Sequence, residues 1–168
     1  ELLDKTVNDP IHIVIFLAAY YGLRRSEVLG LKWSAVDFEN KTVSISHKVV
    51  QNEKGVVGMD VMKTKSSYRT LPLIPQVEEV LLAEKEKQEE MKRVMRRGYC
   101  KKYTDYVCVD AIGELIKPNY VTDHFKVVLK EKGLKPVRFH DLRHSCASLL
   151  LANGVPMKMI QDWLGHSD

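Results

Sequence analysis

The spacing of apolar residues predicts a chain that is mostly helical. Residues 11–21 are apolar on nearly every side, which is typical of a central buried helix, and Asp9-Pro10 and Gly22 supply its start and stop signals. Ser26 is the predicted N-cap of a short second helix that ends near residue 32. Further helical patterns cover residues 76–98, 118–132 and 141–152, and the segment that follows Pro156.

A strand-like alternation of apolar and polar residues lies between the second and third of these helices. Residues 42–50 alternate cleanly, and residues 56–62 and 68–73 follow after turns. These strands predict a small antiparallel meander, and residues 106–109 predict a further short strand. The expected fold class is therefore α+β, a mainly helical single domain over residues 1–168 with a small three-stranded antiparallel sheet.

The composition is that of a soluble globular protein. Hydrophobic residues make up 45% and charged residues 29% of the 168 residues, which disfavours a disordered chain. Lys and Arg outnumber Asp and Glu by 26 to 22, a formal charge of +4. This excess is compatible with a polyanionic partner and equally with an ordinary basic protein. The basic stretch over residues 92–102 allows the same two interpretations, a contact with a phosphate backbone or a solvated helix end.

The number and spacing of the cysteines and the lengths of the apolar runs indicate where in the cell the protein is located. The three cysteines form no C-x-x-C pair and are odd in number, which disfavours a disulfide framework or a zinc knuckle and predicts a cytoplasmic location. No signal peptide is visible, and the longest apolar run, residues 13–19, is too short to cross a bilayer. The chain starts inside a helical pattern without a Met and stops directly after a motif, so we expect it to be a piece of a larger protein.

The chemistry-bearing residues are concentrated near the end of the chain. His140, Arg143 and His144 have the i, i+3, i+4 spacing that places side chains on one helix face, and His166 follows the next helical pattern. Imidazoles can move protons near neutral pH, and a guanidinium suits the charge on phosphate oxygens. This face predicts a proton-handling, anion-facing surface.

A phosphate site could also draw on residues far upstream. Arg24 and Arg143 could clamp one phosphate from two sides. Lys63 or Lys65, in the predicted turn over residues 63–67, could protonate a leaving alkoxide. On residue types alone, a solvated surface remains the alternative.

The order of four motifs resembles the tyrosine recombinases, the phage integrase family. Residues 21–33, Y-G-L-R-R-S-E-V-L-G-L-K-W, are similar to the first arginine box of that family. Residues 63–73, K-T-K-S-S-Y-R-T-L-P-L, are similar to the hairpin that carries the catalytic lysine. Residues 139–145 and 164–167 resemble the H-x-x-R and L-G-H boxes. The four boxes appear in order, cover nearly the whole chain, and look most like integrases of phages and conjugative transposons.

The resemblance implies five catalytic residues. Arg24 and Arg143 would bind the scissile phosphate, and His140 would contact it and assist proton transfer to or from the nucleophile. His166 would hydrogen-bond a non-bridging oxygen. Lys63 would be the general acid for the leaving 5′-hydroxyl.

The resemblance also implies supporting residues. Glu27 would support the site by hydrogen bonding, because a bare carboxylate would repel the phosphate. DNA contacts are expected from Arg25, Lys65, Arg69 and His144, with a structural role as the alternative for Arg25. The Lys-Thr dipeptide favours Lys63 as the acid, and a turn one residue longer would favour Lys65.

The chain departs from the family pattern at the nucleophile. Family members attack DNA with a tyrosine that follows the L-G-H box and form a 3′-phosphotyrosyl intermediate. All seven tyrosines of this chain precede the H-x-x-R box: Tyr20, Tyr21, Tyr68, Tyr99, Tyr103, Tyr106 and Tyr120. The N-terminal DNA-clamping domain of the family also has no counterpart here. We therefore expect a phosphate site without its nucleophile, and an inactive fragment.

Two other functions compete with this interpretation. A zinc site built from His140, His144 and His166 has permissible spacing, but Arg143 shares the face and no H-E-x-x-H base is present. A DNA-binding module without catalysis would use the same basic surface. The resemblance implies double-stranded DNA as partner and a homo-tetramer on DNA for the full-length parent, whereas the fragment alone could be a monomer. We expect no metal, cofactor or membrane association.

Overall fold

The computed structural model describes residues 1–166, so Ser167 and Asp168, which end the L-G-H match and the predicted domain, lie outside the described residues. The helices are α1 (Leu2–Lys5), α2 (His12–Tyr21), α3 (Arg25–Leu29), α4 (Pro75–Met95), α5 (Pro118–Glu131), α6 (Asp141–Ala152) and α7 (Met157–Leu164). The strands are β1 (Val36–Asp37), β2 (Thr42–Ile45), β3 (Lys48–Asn52), β4 (Gly55–Met59) and β5 (Arg69–Pro72). Short 3₁₀ turns follow at Trp33–Ala35, Lys65–Ser67 and Arg96–Gly98.

Helix α2 is the centre of the core, as its apolar sequence predicts. It packs against α1, α3, α4 and α6, and Val14, Ile15 and Leu17 have no exposed surface. The helix begins one residue later than predicted. The Asp9 carboxylate accepts a hydrogen bond from the backbone N–H of Ile11 at 3.0 Å, which satisfies a donor at this end.

The predicted meander is wrong in its strand pairing. The alternating stretch over residues 42–50 divides at Ser46-His47 into β2 and β3, which belong to different sheets. The three-stranded antiparallel sheet has the order β1-β2-β5, and β3 and β4 form a separate hairpin. Alternation fixes which face of a strand is buried, but it does not fix the neighbouring strand. Residues 106–109 form no strand and contribute isolated bridges, Lys32 with Tyr106 and Val109 with Leu115.

Helix boundaries near the first arginine box also differ from expectation. The N-cap of α3 is Arg24 and not Ser26, and the helix ends at Leu29. Glu27 lies in the first turn and its side chain accepts the backbone N–H of Arg24 at 2.9 Å. This contact stabilises the start of a five-residue helix that would be marginal alone.

The remaining helices lie close to their predicted ranges. Helix α4 buries Val77 and Leu81, whereas Val94, predicted to belong to the same stripe, is 63% exposed because the helix extends past the core. All three cysteines are free thiols. Within residues 1–166 no helix combines the length and the apolar character that crossing a membrane requires.

Gly22, at the end of α2, lies at a point where helices α6 and α7 approach the backbone closely. Its φ is +65°, and a Cβ atom there would lie 2.6 Å from Leu164 Cδ2 and 3.1 Å from the Cys146 side chain. Gly22 therefore lets the ends of α2 and α7 and the middle of α6 meet.

We expect Gly22→Ala to lower the free energy of unfolding by about 1–3 kcal/mol, because backbone strain and overpacking add. Chemical denaturation of the chain measures this. Gly133→Ala is the matched control, because Gly133 has a similar φ of +66° with nothing within 4 Å of the added Cβ. Equal losses in the two variants would contradict the close approach at Gly22.

Candidate active site

Arg143 lies buried where α2, α6 and α7 meet. Arg143 is 4% exposed, and its side chain projects from α6 toward the ends of α2 and α7. Nη1 donates to the carbonyl oxygen of Gly22 at 2.8 Å, and Nη2 donates to that of Leu164 at 2.7 Å. These bonds use two of the five N–H donors of a guanidinium. The group is therefore held rigidly with donors left for a ligand.

Glu27 lies at the centre of the charged groups around Arg143. It is 2% exposed, and Arg69 donates to its two oxygens, at 2.8 Å from Nη1 and 3.2 Å from Nη2. Arg69 also donates from Nε to the carbonyl oxygen of Trp163 at 2.7 Å. Glu27 and Arg69 thus connect the first arginine box, the strand that follows the lysine turn, and the L-G-H segment.

The Arg24–Glu27–Arg69–Arg143 cluster carries more positive than negative charge. Glu27 lies 3.6 Å from Arg24, 2.8 Å from Arg69 and 4.0 Å from Arg143, so one carboxylate faces three guanidinium groups. The formal excess is two positive charges. The Arg24 side chain is 30% exposed, so this charge reaches solvent. Such a preorganised excess of cationic donors favours the binding of an anion.

The pKa values in this cluster follow from burial and from the charges. Burial lowers the pKa of Arg143 to about 10, with Arg24 and Arg69 adding repulsion and Glu27 opposing it, so the group remains cationic at neutral pH. Burial alone would raise the pKa of Glu27. Two arginines outweigh the effect of burial and lower the pKa of Glu27. Arg69 contributes hydrogen bonds and charge, and Arg24 contributes its backbone N–H and charge.

Three histidines line the exposed side of this cluster. His140, His144 and His166 are all solvent-exposed, and the His140 and His144 rings lie edge to face at 5.1 Å. Partial burial lowers the pKa of His140, and the charges of His144 and Arg143 lower it further. Partial burial and then the charges of Arg143 and Arg24 lower the pKa of His166. Both imidazoles therefore favour the neutral form, and they face the same guanidinium groups.

Lys63 and Lys65 lie on the loop between β4 and β5. Both side chains are exposed, and neither makes a hydrogen bond or ion pair with another side chain of residues 1–166. The loop contacts the L-G-H segment, because the Ser66 hydroxyl donates to the carbonyl oxygen of Gly165 at 3.5 Å. The loop that carries both lysines is thus adjacent to His166.

Two of the expected DNA-contacting arginines are engaged within the protein. Arg25 donates from Nη1 to the carbonyl oxygen of Pro118 at 3.1 Å and to the Thr122 hydroxyl at 2.6 Å. The Arg69 side chain is 7% exposed and bonded to Glu27. These contacts favour structural roles for both.

Sequence reasoning missed the carbonyl acceptors of Gly22 and Leu164 and the pairing of Arg69 with Glu27. Backbone carbonyls carry no sequence signal, and the two paired residues are 42 positions apart. Within residues 1–166, no three His, Cys, Asp or Glu side chains are arranged to hold a metal ion.

Comparison with known proteins identifies relatives for the whole chain. Residues 3–168 match the phage integrase family. A "Tyrosine recombinase XerC-like" protein of Caldanaerobacter subterraneus subsp. tengcongensis is 32% identical over an alignment that covers 92% of this chain and 42% of that protein. The ICEBs1 integrase of Bacillus subtilis is 29% identical over an alignment that covers 99% of this chain and 42% of that protein. The chain therefore spans less than half the length of these relatives.

Solved structures confirm the predicted α+β fold class. The Tn1549 transposon integrase, in complex with circular intermediate DNA, matches with a TM-score of 0.81 over 99% of this chain and 56% of that chain, at 22% identity. The XerA recombinase matches with a TM-score of 0.74 over 99% of this chain and 53% of that chain, at 21% identity. The match over residues 3–168, with the 32% identical relative, shows that the chain belongs to the phage integrase family.

Proposed function

We propose that this chain is the phosphate-binding part of the catalytic domain of a tyrosine recombinase, which carries out site-specific recombination or integration of DNA. The observation that carries the proposal is the excess of two positive charges in the buried Arg24–Glu27–Arg69–Arg143 cluster, open to solvent at Arg24. A phosphodiester transition state carries negative charge on its non-bridging oxygens, which the guanidinium groups match in sign and geometry.

Each catalytic residue has a role in strand cleavage. Arg24 and Arg143 bind the scissile phosphate, and His166 donates a hydrogen bond to a non-bridging oxygen. His140 contacts the phosphate and assists proton transfer to or from the nucleophile. Lys63 gives its proton to the 5′-oxygen as the bond between phosphorus and that oxygen breaks. The lowered pKa values of His140 and His166 support roles that need neutral imidazoles.

Glu27 supports the site without touching the phosphate. Its carboxylate holds Arg69 and the backbone of Arg24, and its negative charge is compensated by these partners. Of the residues expected to contact DNA, Lys65 and His144 have exposed side chains next to the cluster and suit that role. Arg25 and Arg69 act mainly through the contacts they make inside the protein.

The nucleophilic tyrosine comes from outside residues 1–168, in the full-length parent. Tyr21 is the buried tyrosine beside the cluster, but its hydroxyl donates to the carbonyl oxygen of Pro72 at 2.9 Å, and burial raises its pKa to about 12. The Tyr68 and Tyr106 hydroxyls are hydrogen-bonded to Asp60 and His47. We propose that the parent acts on double-stranded DNA in the cytoplasm as a homo-tetramer.

A nicked DNA substrate tests the function in the full-length parent. Cleavage beside the nick releases a short strand, so the covalent protein–DNA adduct accumulates and can be quantified on a denaturing gel. We expect adduct formation that chelators leave unchanged, with Lys63→Ala slowed about 10²–10⁴-fold and Lys65→Ala much less. DNA binding without an adduct would favour a non-catalytic DNA-binding module. Stoichiometric zinc that survives dialysis would favour a metal site.

A further inference from the structure

The loop that carries Lys63 is closed at its base by one hydroxyl group. Tyr68 donates from this hydroxyl to the carbonyl oxygen of Asp60 at 2.6 Å and accepts the backbone N–H of Met62 at 3.0 Å. The Met62 residue is 7% exposed and packs in the core. The two bonds and the buried side chain fix the backbone directly before Lys63.

The far side of the loop is fixed to the Arg24–Glu27–Arg69–Arg143 cluster. The carbonyl oxygen of Ser67 accepts a hydrogen bond from Arg69 Nη1 at 2.7 Å, and Ser67 is 1% exposed. The Thr64 hydroxyl lies 2.9 Å from that of Ser66 and 3.0 Å from that of Ser67, which braces the turn from inside. The lysine side chains therefore extend from a backbone that is held on both sides.

A second connection joins the base of the loop to the rest of the domain. Asp60 Oδ1 lies 2.7 Å from His47 Nδ1, and His47 Nε2 lies 2.8 Å from the Tyr106 hydroxyl. The Asp60 side chain is 88% exposed, so this bond competes with water.

We propose that Tyr68 is a positioning residue for proton transfer: its hydroxyl holds the loop so that the Lys63 ammonium reaches the leaving 5′-oxygen. This inference rests on the proposed function of the site. A lysine side chain is flexible, so its reach is set by where its backbone is held. Misplacing a reacting group by about 1 Å costs up to ~10²-fold in rate. Tyr68 takes no part in the bond changes and acts only through Lys63.

The test compares two leaving groups in the full-length parent. With the natural substrate, the bond from the nucleophile's oxygen to phosphorus forms, the bond from phosphorus to the 5′-oxygen breaks, and Lys63 supplies the proton. When sulfur replaces that bridging 5′-oxygen, the leaving group departs as a thiolate and needs no proton. The variant is Tyr68→Phe, which removes only the hydroxyl. The control is Tyr120→Phe, since Tyr120 is 44% and Tyr68 46% exposed and Tyr120 stacks on His124 away from the loop.

We expect Tyr68→Phe to slow cleavage of the oxygen substrate about 10- to 100-fold and to restore the unsubstituted rate on the sulfur substrate. Lys63→Ala should show the same rescue, and Tyr120→Phe should match the unsubstituted protein on both substrates. If Lys63→Ala is rescued while Tyr68→Phe stays slow on sulfur or is normal on oxygen, the positioning role is wrong. If Lys63→Ala itself is not rescued, the general-acid role of Lys63 in the proposed function fails, and the inference fails with it.

Discussion

Arg143→Ala in the full-length parent is expected to reduce covalent attachment to nicked DNA by at least about 10³-fold, because removing one preorganised donor to a developing anion already costs about 10²–10³. Arg143 supplies several donors from one rigid group, and its bonds to Gly22 and Leu164 hold it in place before DNA binds. Arg143→Lys keeps the charge but loses the two-pronged geometry, so we expect a large loss there as well.

The comparison needs a control for folding and for general charge. Arg138→Ala removes an arginine five positions earlier whose side chain is 78% exposed and paired with Asp141 on the surface. We expect that variant to form the adduct at nearly the unsubstituted rate. The thermal unfolding midpoints of all three variants separate a folding defect from a catalytic one. Adduct formation by a folded Arg143→Ala protein at the rate of Arg138→Ala would contradict the role of Arg143.

The second large effect concerns stability. Glu27→Gln removes the single carboxylate from among three guanidinium groups, two of which, Arg69 and Arg143, have side chains only 7% and 5% exposed. Removing one partner from a buried ion pair costs about 3–5 kcal/mol, because the remaining charges stay buried without compensation. Urea unfolding of the chain measures the loss. Glu89→Gln is the control, since its pair with Lys92 is on the surface and is worth less than about 1 kcal/mol.

The ion pairs of Glu27 should also make the free energy of unfolding depend on pH in acidic solution. The pKa of Glu27 is lowered in the folded chain, so its contribution is fully present above the unfolded pKa of about 4.3 and is lost as pH falls through the folded value. The stability difference between the unsubstituted chain and Glu27→Gln should therefore be largest above about pH 5 and shrink in more acidic solution. Unfolding curves recorded from neutral to acidic pH test this. A difference that grows on acidification would contradict the assigned ion pairs.

Local sequence patterns were sufficient to predict the longer helices and the fold class. The apolar run over residues 11–21 and the Asp9-Pro10 start signal predict α2 without tertiary information. A helix that is apolar on every side must be buried on every side, so its central position also follows from the sequence. Strand pairing depends on long-range contacts instead. β2 pairs with β5 across the whole β3–β4 hairpin, and nothing in the alternation over residues 42–50 marks the division at Ser46-His47.

The candidate site, like the fold, was predictable from the sequence only in part. The motifs identified Arg24, His140, Arg143 and His166. In the structure the charges of Arg24 and Arg143 lower the pKa values of both histidines, so the four residues, from separate segments, form one cluster. The charge balance could not be predicted, because it depends on Arg69 turning inward to Glu27. A basic residue after a polar turn is more often exposed, so its sequence context suggested a DNA contact instead.

Peptide mapping of the trapped protein–DNA adduct from the full-length parent tests the central claim most directly. The nucleotide should be attached through its 3′-phosphate to a tyrosine outside residues 1–168, and the adduct should depend on Arg143. Attachment to any of Tyr20, Tyr21, Tyr68, Tyr99, Tyr103, Tyr106 or Tyr120 would contradict the claim that this chain holds the phosphate for a nucleophile supplied from elsewhere in the protein.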